Sequence, residues 1–277
     1  MYKKILIAVD ASKHAQAAAE YGAYLAAEFG ARVELLHVID WRLLTGHFIT
    51  HFEEVFRGTG EGFAERVKHY YQRYAERIIE QARRRVAELG ASDITATIET
   101  GNVREIIAER AANTDLLVIG QNSDAEEAVN GFLGTVTERV LHAIDITALV
   151  AQPPMREFRR ALLAYDGSAG ARRAMESLVR LAVAFKLELD VVHLAEPHKD
   201  MNCLKEASSY LSRHPVFYET HYLEGDSHLI ILEHAKQKEC DLLAMGAFAD
   251  RDLEPLALGT TTEAMLGHSH IPVLVHR

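Results

Sequence analysis

The sequence contains little cysteine, a single tryptophan and no long apolar run. Its 277 residues include two cysteines, Cys203 and Cys240, which are far apart and do not have the spacing of metal ligands. We therefore expect two reduced thiols in a cytoplasmic protein rather than a disulfide framework. No apolar run approaches the about 18 residues that a membrane-spanning helix needs, and an apolar strand begins at residue 3, so neither a membrane span nor a signal peptide is predicted.

An excess of basic residues is also missing. The chain has 40 acidic residues against 30 lysines and arginines, which gives a formal net charge of −10. The densest basic run, Arg83-Arg84-Arg85, falls on a predicted helix beside Glu80 and Glu88, which indicates a solvated helix face. Because Lys and Arg contacts to phosphates supply most nucleic-acid affinity, we expect no nucleic-acid partner.

Catalytic motifs are absent from the sequence. It has no G-x-S-x-G elbow, no H-E-x-x-H pair and no phosphate-binding loop of the G-x-x-x-x-G-K type. His47 and His51 have helical spacing, but two such ligands are a weak zinc signal, and a surface position is the preferred interpretation. His37 and His193 are interpreted as packing or hydrogen-bonding residues. We therefore predict no catalytic residue and no metal ligand.

The feature that the sequence does have is an internal duplication. KKILIAVDASKHAQAAAE, from residue 3, returns as RRALLAYDGSAGARRAME, from residue 159. TDLLVIG, ending at Gly120, returns as CDLLAMG, ending at Gly246, and GTVTERVLH from Gly134 returns as GTTTEAMLG from Gly259. The chain therefore reads as two domains, residues 1–153 and 158–277, with Pro153-Pro154 at the linker.

Each half alternates short apolar strands with helical stretches. The predicted strands of the first half are 3–9, 32–39, 94–100, 115–120 and 146–152, and the second half repeats them at 159–165, 188–194, 216–223, 241–246 and 271–276. This alternation predicts an α/β fold of two tandem doubly wound domains, each a five-stranded parallel sheet flanked by helices. We also expect 146–152 to pair with 271–276, which gives an internal pseudo-dimer, and further association of two chains is an additional expectation.

The first half carries an insert at about residues 41–89. Apolar residues recur with the helical period from Phe63 to Leu89, which predicts one long amphipathic helix that ends at Gly90. Residues 41–60, which precede it, are rich in aromatic side chains, and we interpret them as a lid or a packing segment.

The candidate site follows from the topology of a doubly wound sheet, where ligands bind at the carboxyl ends of the strands. Asp10 and Asp166 end the first strand of each half, and Gly120 and Gly246 end the fourth, where a glycine lets a ligand approach the backbone. Gly134-Thr135 and Gly259-Thr260 open helices whose free N–H groups suit an anion, so the set suits a ribose and a phosphate. Alternatives stay open: the aspartates order the loop, the glycines serve only the strand-to-helix turn, and the threonines are first-turn residues.

With these motifs in both halves, the chain resembles a tandem universal stress protein. The resemblance rests on the strand that ends in Asp, the DLLVIG and DLLAMG strands, the GTVTE and GTTTE helix starts, and the terminal PVLV strand. It implies a fold like that of adenine-nucleotide α-hydrolases, a role in stress resistance, and ATP binding, with Mg²⁺, through glycines spaced Gly, two residues, Gly, nine residues, Gly-Ser or Gly-Thr. At most slow ATP hydrolysis is implied.

This glycine pattern is only partly kept. In the second half Gly246 and Gly259-Thr260 have the family spacing, but Ala249 replaces the middle glycine. In the first half Ser123 stands at the middle position and Gly134 comes one residue late. Both loops are also acidic, which disfavours a triphosphate unless a divalent cation bridges the charges. The second half is the favoured ATP site, because its loop keeps the family length and Gly167-Ser168 follows Asp166.

The predicted cofactor-binding residues of the second half are Asp166, Gly167, Ser168, Leu194, Gly246, Ala249, Gly259, Thr260, Thr261 and Thr262. Those of the first half are Asp10, Ser12, Val38, Gly120, Gly134 and Thr135. The alternative function is a scaffold that binds another small molecule or a protein partner and has lost the ATP motif. The aromatic segment 41–60 favours that alternative, since it suits an apolar pocket.

Overall fold

A computed structural model describes residues 2–40, 42, 63–123, 133–195, 202–225, 227–247 and 260–277. In these ranges ten strands and eight helices alternate along the chain. The strands are β1 (Lys4–Ala8), β2 (Arg32–Asp40), β3 (Ile94–Gly101), β4 (Leu116–Gly120), β5 (Ala148–Ala151), β6 (Arg160–Ala164), β7 (Glu188–Ala195), β8 (Phe217–Glu224), β9 (Leu242–Gly246) and β10 (Val273–His276). The helices are α1 (Lys13–Phe29), α2 (Phe63–Glu88), α3 (Val103–Ala111), α4 (Thr135–Ala143), α5 (Ala169–Phe185), α6 (Cys203–Leu211), α7 (His228–Gln237) and α8 (Thr260–His268). The predicted α/β fold is confirmed, with element ends shifted by a few residues.

All ten described strands form one sheet, in the order β3-β2-β1-β4-β5-β10-β9-β6-β7-β8. Neighbouring strands are parallel within each half, and β5 and β10 pair antiparallel, with Leu149 opposite Leu274. The pairing expected between 146–152 and 271–276 is thus observed. Both final strands lie inside the sheet, and β3 and β8 form its edges.

Helices cover both faces of the sheet because alternate residues of each strand point to opposite sides. Ile5 and Ile7 of β1 face one core, with α1, α2, α5 and α6. Leu6 and Ala8 face the other, with α3, α4, α7 and α8. The inner strands are buried on both faces, which explains why they read as nearly continuous apolar runs.

The sequence signals for helix ends correspond to real caps. Ser12 Oγ accepts a hydrogen bond from the Ala15 amide at 2.9 Å, at the start of α1. Gly30 ends α1 with φ 60°, and Gly90 follows α2 with φ 97°. Both backbones are left-handed, a conformation that glycine adopts without steric cost.

Helix α2, with 26 residues, confirms the predicted long amphipathic helix. It packs against α1 and strands β2 and β3, and it buries Ala75, Ile78 and Val86. In the second half the nine-residue α6 packs at β7 and β8 instead. The predicted lid, residues 41–60, lies outside the described residues apart from Arg42.

The two halves share a continuous seam. On the α1 face, Tyr24 stacks on Phe185 with ring centroids 4.6 Å apart, and Tyr21 stacks on Phe158 at 5.4 Å. On the opposite face, Gln121 Nε2 donates to the carbonyl oxygens of Leu266 and Gly267 in α8, at 2.5 and 3.1 Å. The junction therefore has an apolar side and a hydrogen-bonded side. Within the described ranges, no helix is both long and apolar enough to cross a bilayer.

Candidate functional site

A cavity of about 160 Å³ opens at the carboxyl ends of β1, β2 and β4 in the first half. Strands β1 and β4 are neighbours, as the predicted site requires. The cavity is lined by Ala8, Val9, Asp10, Ser12, Ala15, Leu36, His37, Val38, Val103, Ile107, Ile119, Gly120, Asn122, Ser123, Val136 and Thr137. Because typical small-molecule pockets measure about 300–1,000 Å³, these walls fit one part of a nucleotide rather than all of it.

Asp10 orders the loop after β1. Its Oδ1 accepts a hydrogen bond from the Ser12 amide at 2.8 Å, while the Ser12 hydroxyl caps α1. The second half repeats both contacts, from the Ser168 amide to Asp166 Oδ1 at 2.9 Å and from the Ala171 amide to Ser168 Oγ at 3.1 Å. These four side chains therefore have local structural roles, which was one of the open alternatives. Asp10 is half-buried and borders the cavity, whereas Asp166 is exposed.

The glycines that end β4 and β9 have a steric reason of their own. A Cβ at Gly120 would lie 2.7 Å from the carbonyl carbon of His14 and 2.9 Å from the Ala15 amide nitrogen. A Cβ at Gly246 would lie 2.8 Å from the carbonyl carbon of Gly170. The first turns of α1 and α5 therefore rest directly on these strand ends. Helix packing requires glycine here whether or not a ligand approaches, so the strand-to-helix alternative accounts for both residues.

Helix α4 begins beside the cavity without a side-chain cap. Its N-cap residue is Gly134, which makes no side-chain hydrogen bond, in contrast to Ser12 at α1. Thr137 Oγ1 donates to the Gly120 carbonyl oxygen at 2.7 Å, which fixes the first turn of α4 to the end of β4. A helix N-terminus carries partial positive charge and N–H donors, so this end suits an anion.

His37 supplies a polar group that the sequence analysis did not assign to the site. Its Nδ1 lies 2.7 Å from the Val9 carbonyl oxygen, and a carbonyl can only accept, so Nδ1 carries the hydrogen. Burial lowers the pKa of His37, which keeps the ring neutral with Nε2 as an acceptor. His193 makes the equivalent contact to the Tyr165 carbonyl at 2.8 Å. The predicted hydrogen-bonding role of both histidines is observed.

Other cavity residues were also missed. Val103 and Ile107 stand four apart on α3, and Asn122, Val136 and Thr137 complete the wall. Val103 and Ile107 could have been found from the sequence, because two apolar residues four apart on the helix after the third strand share one face of that helix. Thr135 and Gly134 begin α4 next to this wall, as the sequence placed them.

The second half repeats the framework of this site in the described residues. Leu194 and Gly246 lie at the carboxyl ends of β7 and β9, on either side of β6. Gly167 has φ 78°, and Thr262 is buried in α8. The predicted residues Ala249 and Gly259 lie outside the described residues, as do the side chains of Thr260 and Thr261, so the favoured phosphate loop stays a prediction.

A parallel five-stranded unit, present twice and with a crevice at the carboxyl edge of the first copy, defines an α/β fold like that of adenine-nucleotide α-hydrolases. The sequence model described as "Universal stress protein family" matches residues 1–152 and 201–277. The chain therefore belongs to the universal stress protein family.

Known proteins of this family match the chain in sequence and in structure. A universal stress protein of Synechocystis sp. is 25% identical over 99% of this chain and 100% of its own length. A putative universal stress protein of Staphylococcus aureus is 28% identical over 54% of this chain and 84% of its own length. A universal stress protein structure from Archaeoglobus fulgidus has a TM-score of 0.74 and 22% identity, covering 99% of this chain and 96% of that one. A putative universal stress protein from Pseudomonas aeruginosa gives a TM-score of 0.66 and 15% identity, covering 99% of this chain and 93% of that one. At such identities the two structures support the fold alone.

Proposed function

We propose that this universal stress protein binds an adenine nucleotide together with Mg²⁺ at the carboxyl edge of its sheet, and that the first-half cavity is one binding site. The observation that carries the proposal is that Asp10 and the first turn of α4 border one and the same cavity. In this arrangement the carboxylate suits a sugar, the helix N-terminus without a side-chain cap suits a phosphate, and the apolar wall between them suits a base.

The walls divide the ligand by chemistry. Leu36, Val38 and Ile107 present apolar surface that suits the face of an adenine ring. The Asp10 carboxylate accepts hydrogen bonds from ribose hydroxyls, and backbone N–H groups of the first turn of α4, after Gly134, donate to a phosphate. The cavity is too small for the whole nucleotide, so the outer phosphates extend beyond it, and a bound divalent cation offsets part of their negative charge.

The second half belongs to the same proposal on sequence grounds. Gly246 and Gly259-Thr260 keep the family spacing, and Asp166 stands where Asp10 stands in the first half. Ala249 departs from the pattern, and its methyl group is expected to weaken contact with the phosphates. Ala249→Gly should therefore raise nucleotide affinity if this half binds ATP. The role implied by the resemblance is a nucleotide-dependent regulator in stress resistance with at most slow hydrolysis.

The duplication supplies its own matched controls. We would first denature the purified chain and identify released small molecules by mass spectrometry, then titrate ATP with and without Mg²⁺. Asp10→Ala should weaken binding in the first half on the order of ten- to a hundredfold, because it removes charge-assisted hydrogen bonds. Asp166→Ala is the control in the same loop of the other half, and the double variant tests both. Unchanged ATP affinity in the double variant would refute the proposal.

A scaffold for another small molecule is the second candidate. The small volume and the mostly apolar wall of the first-half cavity favour it over a large polar ligand. A released compound without adenine, displaced when Val38 or Ile107 is changed to a larger residue, would support this candidate. An adenine nucleotide near one or two per chain would reject it.

A further inference from the structure

A second cluster of chemically capable side chains lies away from the crevice, near the amino end of β7. Asp190 of β7, His221 of β8 and His234 of α7 each offer one ligand atom, and these atoms lie within 4.8 Å of one another. Asp190 is 1% exposed, and the two histidine side chains are 28% and 14% exposed. We propose that these three residues form a binding site for Zn²⁺ that ties helix α7 to the edge strand β8.

The distances are close to those of a tetrahedral zinc site. Asp190 Oδ1 lies 3.1 Å from His221 Nε2 and 4.0 Å from His234 Nε2. Two ligands of a tetrahedral zinc with bonds of about 2.0–2.1 Å stand about 3.3 Å apart. The two histidine nitrogens lie at most 4.8 Å apart, so this distance must shorten by no more than about 1.5 Å for the three ligands to close around an ion. Two imidazoles and one carboxylate with an open fourth position are a common zinc ligand set.

His234 gives an independent reason to expect a ligand. Its Nε2 is buried and has no hydrogen-bond partner among the residues that the structure describes. A buried polar nitrogen without a partner costs free energy, which a metal bond would recover. The His221 and His234 rings also lie 4.9 Å apart, so both can face one ion.

The first half shows what this position contains without the histidines. The duplication aligns Glu34 with Asp190, and Glu34 is buried between Lys4 Nζ at 2.6 Å and Arg110 Nη1 at 3.2 Å. The residues that correspond to the two histidines can be found by aligning the halves. The strand register aligns Thr97 with His221. The buried faces of α3 and α7 align Arg110 with His234. Where the first half places the Arg110 guanidinium beside its buried carboxylate, the second half places two imidazole rings, while Arg160 takes the place of Lys4.

Two cations near Asp190 set the conditions for binding. Arg160 Nη1 lies 3.1 Å from Asp190 Oδ2, the oxygen away from the histidines, so it can orient the carboxylate while Oδ1 binds the ion. Lys238 Nζ lies 3.4 Å from Oδ1 and 3.0 Å from Glu219 Oε2. Zn²⁺ must displace Lys238 from Asp190, and the lysine keeps Glu219 as its partner. Glu219 Oε2 is also 3.5 Å from His221 Nε2, within reach of the fourth position.

The test uses the whole chain, stripped with a chelator and then titrated with Zn²⁺ by calorimetry. We expect one Zn²⁺ per chain to be lost in His221→Gln and in His234→Gln, and to be kept in His228→Gln, a histidine of the same helix outside the cluster. Lys238→Gln should bind Zn²⁺ more tightly, on the order of tenfold, because a competing positive charge is removed. Circular dichroism of each variant establishes that it is folded.

Cobalt provides a readout that a purely structural role would not produce. Co²⁺ at this site should give the intense visible absorption of tetrahedral coordination, absent in His234→Gln. Zn²⁺ should also raise the thermal midpoint of the wild-type chain and leave that of the His221→Gln variant unchanged. Equal Zn²⁺ stoichiometry in the wild type and both folded cluster variants, or no binding at all, would overturn the proposal and leave the cluster as a hydrogen-bonded ion pair.

Discussion

Replacing Gly120 with alanine separates two explanations of the glycine that ends β4. A Cβ there would lie 2.7 and 2.9 Å from backbone atoms of His14 and Ala15, whereas carbon atoms pack favourably at about 3.5–4.0 Å. Both contacts are with backbone, so no side-chain rotation relieves them, and the first turn of α1 must move by at least about half an ångström. The change should therefore destabilise the ligand-free protein.

The magnitude follows from two opposing effects. Overpacking a closely packed site lowers the free energy of unfolding by about 1–3 kcal/mol. Alanine in place of glycine raises it by about 0.4–1 kcal/mol, because alanine restricts the unfolded chain. We expect a net loss of about 1–2 kcal/mol, which lowers the thermal midpoint of a chain of this size by about 2–8 °C. Differential scanning calorimetry of the ligand-free variant measures it directly.

Gly101→Ala is the matched control at the end of β3. Its new Cβ would meet only the tip of the partly exposed Ile106 side chain, at 2.7 Å, and that tip can turn away. Its midpoint should stay close to that of the wild type. If Gly120→Ala kept wild-type stability without ligand and lost only nucleotide affinity, the glycine would serve the ligand and the packing argument would be refuted.

Three further predictions concern the caps, the seam and pH. Ser12→Ala should cost about 1 kcal/mol, because Ser12 Oγ caps α1, and urea unfolding should show it; an unchanged midpoint would contradict the cap. Gln121→Ala should lower the free energy of unfolding by about 1–3 kcal/mol, because it leaves two carbonyl oxygens of α8 without their donor. Urea unfolding measures this change, and an unchanged free energy would mean that water replaces the side chain. Burial lowers the pKa of His37 and of His276, so the unfolded chain binds protons more readily than the folded chain, and stability should fall as pH drops through about 6.5. Thermal scans from about pH 7.5 to 5.5 measure this pH dependence, and His37→Gln should make it less steep. An equally steep pH dependence in the variant would contradict the contribution of His37.

The pattern of strands and helices was predictable because it depends on short-range periodicity. Buried parallel strands read as apolar runs, as in residues 4–8, and α2 reads as apolar residues at the helical period. Ser12 and Gly90 mark helix ends by local backbone chemistry alone. The duplication then fixed the topology of the second half once the first half was read.

The candidate site was predictable only in part. Asp10, Val38 and Gly120 do border one cavity, since parallel strands bring their carboxyl ends to one edge of the sheet. His37 was not placed there because its hydrogen bond to Val9 depends on the register of β2 against β1. The steric reason for Gly120 was also hidden, since it depends on how closely α1 crosses the end of β4.

The sequence by itself determined that the chain is a duplicated α/β protein with an aspartate and a glycine at corresponding strand ends of each half, because repeats and periodicity are local properties of a chain. Tertiary structure alone decided which side chains meet across elements. Along the chain, His221 follows Asp190 by 31 residues and His234 follows His221 by 13 residues. In the fold, one oxygen or nitrogen atom of each of the three side chains lies within 4.8 Å of the other two. Strand register and helix docking produce such proximity, and neither is written in the spacing of residues along the sequence.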